Sequence, residues 1–350
     1  MEYALNAGTS EQLAMDVLWE AETTPILWFQ GLGDWLAVPF GLITHLGSQG
    51  VAVVLIALVF WCVNASVGAR LFVTLIASAT VNTLFKSLLY GARPHWFSAN
   101  VSAHAGTSSF GLPSGHAQAA TVLWGYLGAK SGDRRWMWAA GVLIALVCLS
   151  RVYLGVHFIS DVLVGLLLGG AVLWTVLRWE DRILAWWRGL DTPRWVLCIA
   201  LASLFPCLLA ALWQWGVRGD WTPPAEWIGA TPQDPAGHSL NGLFTAAGAL
   251  LGGVTGLTLL DRRGGFSASG ALTARAARFA LGISVVVLIE VVGHLLFRDL
   301  EGPAAAIASY AVYAVLAFWA TFAAPEMFVR SGLAARTDQG ADTPSGSGHA

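Results

Sequence analysis

The stretch FGLPSGHAQAATVLWGYLG (residues 110–128) sets four polar or turn-forming residues, Pro113 to His116, directly against an apolar run. The run is long enough to enter a membrane, but its entrance is poor for insertion. It is a good helix start: Ser114 can act as N-cap. The first N–H groups of a helix lack internal partners and carry the positive end of its dipole, so they attract an anion. Gly115 lets a bulky anion approach the backbone closely, and His116 sits at the same place.

The surrounding chain is built for a bilayer. Its 350 residues are 56% hydrophobic and 11% charged, with 18 tryptophans. Soluble proteins carry about 25% charged residues. A spanning helix needs about 20 mainly apolar residues. Nine stretches qualify, near 47–64, 68–90, 114–130, 136–154, 158–177, 195–216, 239–260, 278–297 and 303–325. The expected fold is therefore all-α, a polytopic transmembrane helix bundle of about nine spans. Residues 1–46 read as an interfacial segment broken near Pro39, and 329–350 as a polar, disordered tail. The first 69 residues contain neither Lys nor Arg, so no basic signal-peptide start is read there, and the first span is expected to target the protein. The net charge of −2 implies no nucleic-acid partner. Cys62, Cys148, Cys198 and Cys207 lack C-x-x-C spacing and read as packing residues.

Numbering the loops alternately puts 14 of the 19 lysines and arginines on one side. That side is expected to be cytoplasmic, with the N-terminus outside, the C-terminus inside and the protein in the plasma membrane. Lys86, Arg93 and Arg151 break this bias and lie in or at the ends of spans. A cation at the membrane centre costs about 2.5–3.5 kcal/mol on insertion scales. Seven residues separate Lys86 from Arg93, nearly two helical turns, which predicts one shared helix face, with Pro94 ending the span. His157 and Asp161 are four apart at the start of another span. Such a carboxylate can hydrogen-bond one ring nitrogen and leave the other as a nucleophile. The topology brings all these residues to one outer level.

Three stretches now stand together: K-x6-R-P (Lys86, Arg93, Pro94), P-S-G-H (Pro113 to His116) and S-R-x5-H-x3-D (Ser150, Arg151, His157, Asp161). They resemble the three signature motifs of the type 2 phosphatidic acid phosphatase superfamily. The resemblance covers roughly residues 50–175 and implies a six-helix phosphatase-like core. This core is expected within 47–217, followed by additional transmembrane helices over 218–328. It implies that Lys86, Arg93, Arg151, Ser114 and Gly115 bind phosphoryl oxygens and that His157 attacks phosphorus. Asp161 would orient His157, and His116 would protonate the leaving oxygen and then activate water. No metal or cofactor is expected, because the cations neutralise the transition-state charge and no acidic cluster suited to Mg²⁺ appears in the motifs. Placement at the outer boundary points to a lipid phosphate monoester or an isoprenoid diphosphate, with membrane lipids as the other partners. The rivals are a lipid phosphotransferase using the same histidine, a soluble vanadium haloperoxidase, which the spans oppose, and a lipid-phosphate transporter without chemistry.

Two other features call for a reading. Glu290 and His294, four apart in a late span, are either a functional pair or buried glue between helices. His95 and His104 read as rim histidines on a loop that can cover the site.

Overall fold

A computed structural model describes residues 2–219, 221–225, 227 and 231–337. The described residues form helices and connecting loops, with no strand. In chain order the helices are α1 (Glu2–Gln30), α2 (Ala37–Thr44), α3 (Gln49–Leu58), α4 (Ala65–Leu89) and α5 (Pro94–Phe97). Then follow α6 (Gly115–Ser131), α7 (Arg134–Tyr153), α8 (Ile159–Arg188) and α9 (Thr192–Leu212). The last are α10 (Pro235–Arg262), α11 (Leu272–Phe297), α12 (Gly302–Phe318) and α13 (Ala324–Arg330). Among the described residues, seven helical segments are long and apolar enough to cross a membrane. Two of the nine expected spans fall below that length: Gln49–Val63, and α6 with 17 residues.

The N-terminal segment bends by 90° between Met15–Gln30 and Asp34–Gly47. The break lies at Gly31–Gly33, not near Pro39. Gly33 takes φ +120°, which only glycine adopts freely. Pro39 sits in the first turn of α2, where its missing N–H costs nothing. Of the stretch read as a tail, residues 338–350 lie outside the described residues. Residues up to 337 fold back: Ser267 N donates to Ala335 O and Thr337 N to Gly264 O.

The chain forms two compact units. The first combines residues up to Val51 with Val81–Arg178 and Leu209–Leu240. Here α6 and α8 approach at backbone distance through glycine. A Cβ on Gly165 would lie 2.6 Å from Ser114 O, and one on Gly169 would lie 2.9 Å from Gln118 O. This small-xxx-small spacing is how membrane helices reach close contact. Trp19, Tyr90, Trp96, Phe110, Phe158 and Trp227 form a buried aromatic cluster in this unit.

The second unit combines Ala52–Thr80, Trp179–Leu208 and the chain from Asn241 onward. Its core contains Phe60, Trp61, Phe266, Val286 and Phe328. Gly248, Gly252 and Gly256 of α10 pack against Tyr310, Ala314 and Thr321, so this glycine-rich stretch serves helix packing. Glu290 accepts from Tyr313 Oη at 2.9 Å, and both Glu290 and His294 are exposed on the protein surface.

Candidate active site

The site lies in the first unit and is assembled from three places in the chain. The first departs from the helical reading of Lys86 and Arg93. Helix α4 ends at Leu89, and Tyr90 takes a left-handed φ of +55°. Lys86 is in the last turn of α4, while Arg93 lies beyond it with extended backbone. Pro94 therefore starts a helix instead of ending one. Its fixed φ suits the first helical position, and it forces the preceding residue into extended geometry. The two cations reach the same loop by different routes. Lys86 Nζ donates to Phe110 O at 2.5 Å and Gly111 O at 3.0 Å. Arg93 donates to Ser109 O at 2.7 Å, Phe110 O at 3.0 Å and Val156 O at 2.8 Å.

The second piece is the start of α6. Ser114 is its N-cap and accepts from Ala117 N at 3.5 Å. Its own N–H donates to Asp161 O at 2.9 Å, which ties this helix start to the next piece. Gly115 has little spare room, since a Cβ there would lie 3.2 Å from Asn82 Oδ1. Asn82 is buried and donates to Gln118 Oε1 at 2.8 Å, fixing α4 against α6. His116, the second residue of α6, is half-buried as a residue.

The third piece is the link between α7 and α8. His157 Nδ1 pairs with Asp161 Oδ2 at 3.1 Å, and both residues are buried. The same oxygen accepts from Phe158 N at 3.1 Å. His157 precedes α8, so the pair bridges the helix start and is not stacked along its face. The other ring nitrogen, Nε2, lies 3.3 Å from Arg93 Nη1. Burial first, then the charges of Arg93, Lys86, Arg151 and His116, hold the His157 pKa well below the ordinary histidine value. An imidazole with Nδ1 protonated toward Asp161 leaves a lone pair on Nε2. Arg151, near the end of α7, is buried; its Nη1 donates to Thr44 Oγ1 at 2.7 Å. Arg151 Nε and Asp161 Oδ1 are buried without a partner among the described residues.

The structure thus brings Lys86, Arg93, His116, Arg151, His157 and Asp161 together and sets Ser114 and Gly115 beside them. Gly111 is part of the same fit, because a Cβ there would strike Ala92 O and approach Asp161 Oδ2. His95 is buried, contrary to its reading as a rim residue. Its Nδ1 lies 3.0 Å from Gly155 O and its Nε2 3.2 Å from Thr107 Oγ1, which ties the loop to the link before His157. His104 stacks on Tyr153 at 5.7 Å. Among the described residues, no group of three or more His, Cys, Asp or Glu side chains is placed to hold a metal.

Sequence reasoning did not single out Glu22, Thr44, Asn82 or Gln118. Asn82 and Gln118 carried a signal as polar residues inside apolar spans. Glu22 and Thr44 carried none, since their contacts span 138 and 107 residues.

Comparison with known proteins gives two family matches. Residues 67–185 match the PAP2 superfamily, and residues 244–336 match the PAP2 superfamily phosphatase transmembrane extension. The chain is 29% identical over 162 residues to phosphatidylglycerophosphatase B of Bacillus subtilis (strain 168), covering 43% of this chain and 77% of that protein. It is 26% identical to mouse sphingosine-1-phosphate phosphatase 2 over 46% of this chain and 47% of that protein. It is 27% identical to human glucose-6-phosphatase 3 over 65% of this chain and 70% of that protein. With all three motifs and both matched segments in one membrane-embedded helical chain, this protein belongs to the PAP2 phosphatase superfamily.

Proposed function

We propose that the protein hydrolyses a lipid phosphate monoester or an isoprenoid diphosphate through a phosphohistidine on His157, without a metal. The observation that carries this reading is the buried His157–Asp161 pair, with Nδ1 held at 3.1 Å and Nε2 turned toward Arg93. In the first step Nε2 bonds to phosphorus while the bond to the leaving oxygen breaks. His116 gives its proton to that oxygen. In the second step His116 takes a proton from water, the water oxygen bonds to phosphorus, and the N–P bond breaks to release phosphate.

The cations act on the charge of the transferring group. Arg93 already spends its donors on carbonyls and on His157. The N–H facing Nε2 is the one a phosphoryl oxygen would meet on arrival. Arg151 offers its unpartnered Nε, and Lys86 one remaining ammonium proton. Ser114 and Gly115 offer the start of α6. We place the site at the extracytoplasmic boundary, where a lipid tail stays in the bilayer and the head group reaches His157.

The relatives' names span a phosphatidylglycerophosphatase, a sphingosine-1-phosphate phosphatase and a glucose-6-phosphatase, so the shared element is the phosphoryl group. The test is phosphate release in detergent with EDTA present. The panel comprises phosphatidic acid, phosphatidylglycerophosphate, undecaprenyl diphosphate and a sphingoid phosphate. Release from at least one, at a rate indifferent to EDTA, is expected. Loss of release on chelation would overturn metal independence. A phosphorylated acceptor in place of free phosphate would identify a phosphotransferase.

A further inference from the structure

Glu22 lies on α1, outside the three motifs and outside both matched segments. The first helical bond of α8 runs from Val162 N to Phe158 O at 3.3 Å, which makes Phe158 its N-cap residue. A phenylalanine has no acceptor to offer there. Asp161 reaches back to Phe158 N, which supplies one half of a capping box. The neighbouring free N–H, that of Ser160, is capped from α1, 138 residues away. Glu22 Oε1 and Oε2 accept from Ser160 N at 3.1 and 3.2 Å, and Oε2 accepts from Ser160 Oγ at 3.0 Å. One turn earlier on α1, Trp19 stacks on Phe158 at 5.6 Å with the rings 12° apart.

We propose that Glu22 is a positioning residue for the reaction, a helix cap supplied by a distant helix that fixes the His157–Asp161 pair. The proposal rests on the phosphatase reading given above. Asp161 Oδ2 serves both Phe158 N and His157 Nδ1, so a frayed first turn of α8 would misalign the nucleophile. The charge matters as well as the geometry. His157 is faced by Lys86, Arg93, Arg151 and His116, and by Asp161 as its own carboxylate. Glu22 is a second carboxylate whose charge bears on Asp161, the ring's partner, and through that pair on the positive charge that develops as Nε2 bonds to phosphorus.

The test compares phosphate release, its pH profile and the melting midpoint for the full chain and for Glu22→Gln, Glu22→Ala and His157→Ala. Glu22→Ala is expected to lower kcat about 10- to 100-fold with KM within about threefold, the scale of a small misplacement of reacting groups. Glu22→Gln keeps an acceptor for Ser160 and should recover most of that loss. It should also move the acid limb to lower pH, because the His157–Asp161 pair loses a negative neighbour and takes up a proton less readily. Wild-type kcat and acid limb in both variants would overturn the proposal. So would a Glu22→Gln enzyme whose limb is unmoved and whose only defect is a lower melting midpoint. If Glu22→Ala does not fold, Glu22→Gln decides alone. A wild-type protein that releases no phosphate, or a His157→Ala variant that still does, would instead overturn the phosphatase reading.

Discussion

Two buried arginines, one in each unit, do nearly the same thing to the backbone. Arg93 donates to the carbonyls of Ser109, Phe110 and Val156. Arg278 donates to the carbonyls of Ser267, Ala268 and Ser269. Each binds a loop to the helical frame. The difference lies in the remaining neighbours. Arg93 has His157 Nε2 at 3.3 Å, with Lys86 and Arg151 close enough to bear on the same imidazole. Arg278 has Arg275 and the Cys62 thiol nearby, without an oriented nucleophile. A buried cation in a membrane protein is thus no sign of a reaction centre by itself. The informative combination is a cation beside a ring nitrogen whose partner nitrogen is already fixed.

The comparison can be broken most directly at the proposed nucleophile, His157. His157→Ala should reduce phosphate release by about 10³-fold or more in a protein that still folds, as loss of a covalent nucleophile does elsewhere. His116→Ala should cost about 10²–10⁴-fold, the range for a general acid–base group, and should remove the alkaline limb of the profile. The acid limb should remain and lie below pH ~6.5, the ordinary histidine value. The sign follows from the site: its cations and burial favour neutral His157, so the nucleophile survives to lower pH than a free imidazole. An acid limb above that value would contradict the assignment.

The arginines come next. Arg93→Lys should lower kcat/KM by about 10²-fold, since a point charge cannot reproduce the planar fork. Arg278→Lys should leave kcat within about twofold and lower stability by about 1.5–3 kcal/mol, the value of a charged hydrogen bond. Phosphate-release kinetics and thermal unfolding of the two variants separate these outcomes; a large loss of kcat in Arg278→Lys would collapse the distinction. The smallest effect should be that of Thr44→Val. It removes the acceptor of Arg151 Nη1 and should raise KM by about threefold to tenfold with kcat nearly unchanged, as one lost hydrogen bond implies.

The helices and the three motifs were legible because both are local. Apolar length marks the spans, and residue type at fixed spacing marks the motifs. Local reasoning failed where geometry is not periodic. Lys86 and Arg93 have helical spacing, yet Tyr90 leaves the helix with a left-handed backbone, and they meet by converging on the carbonyl of Phe110. His157 and Asp161 are four apart but straddle a helix start. Glu22 and Thr44 sit in a segment whose composition speaks only of an interface. Their partners, Ser160 and Arg151, are named by no pattern within reach of either.

The carbonyls gathered around Lys86 and Arg93 bear on the end of a catalytic cycle. A cradle whose donors faced only water would hold a departing phosphate tightly, since losing it would strand charge in a buried site. Here the oxygens of Ser109, Phe110, Gly111 and Val156 already occupy those donors. On the proposed reading, an incoming phosphoryl group would exchange places with these backbone dipoles, and the dipoles would return when it leaves. Most donors of Lys86 and Arg93 are therefore satisfied at rest, with Arg151 Nε the buried donor left over in this site among the described residues, and free inorganic phosphate is expected to inhibit phosphate release only weakly.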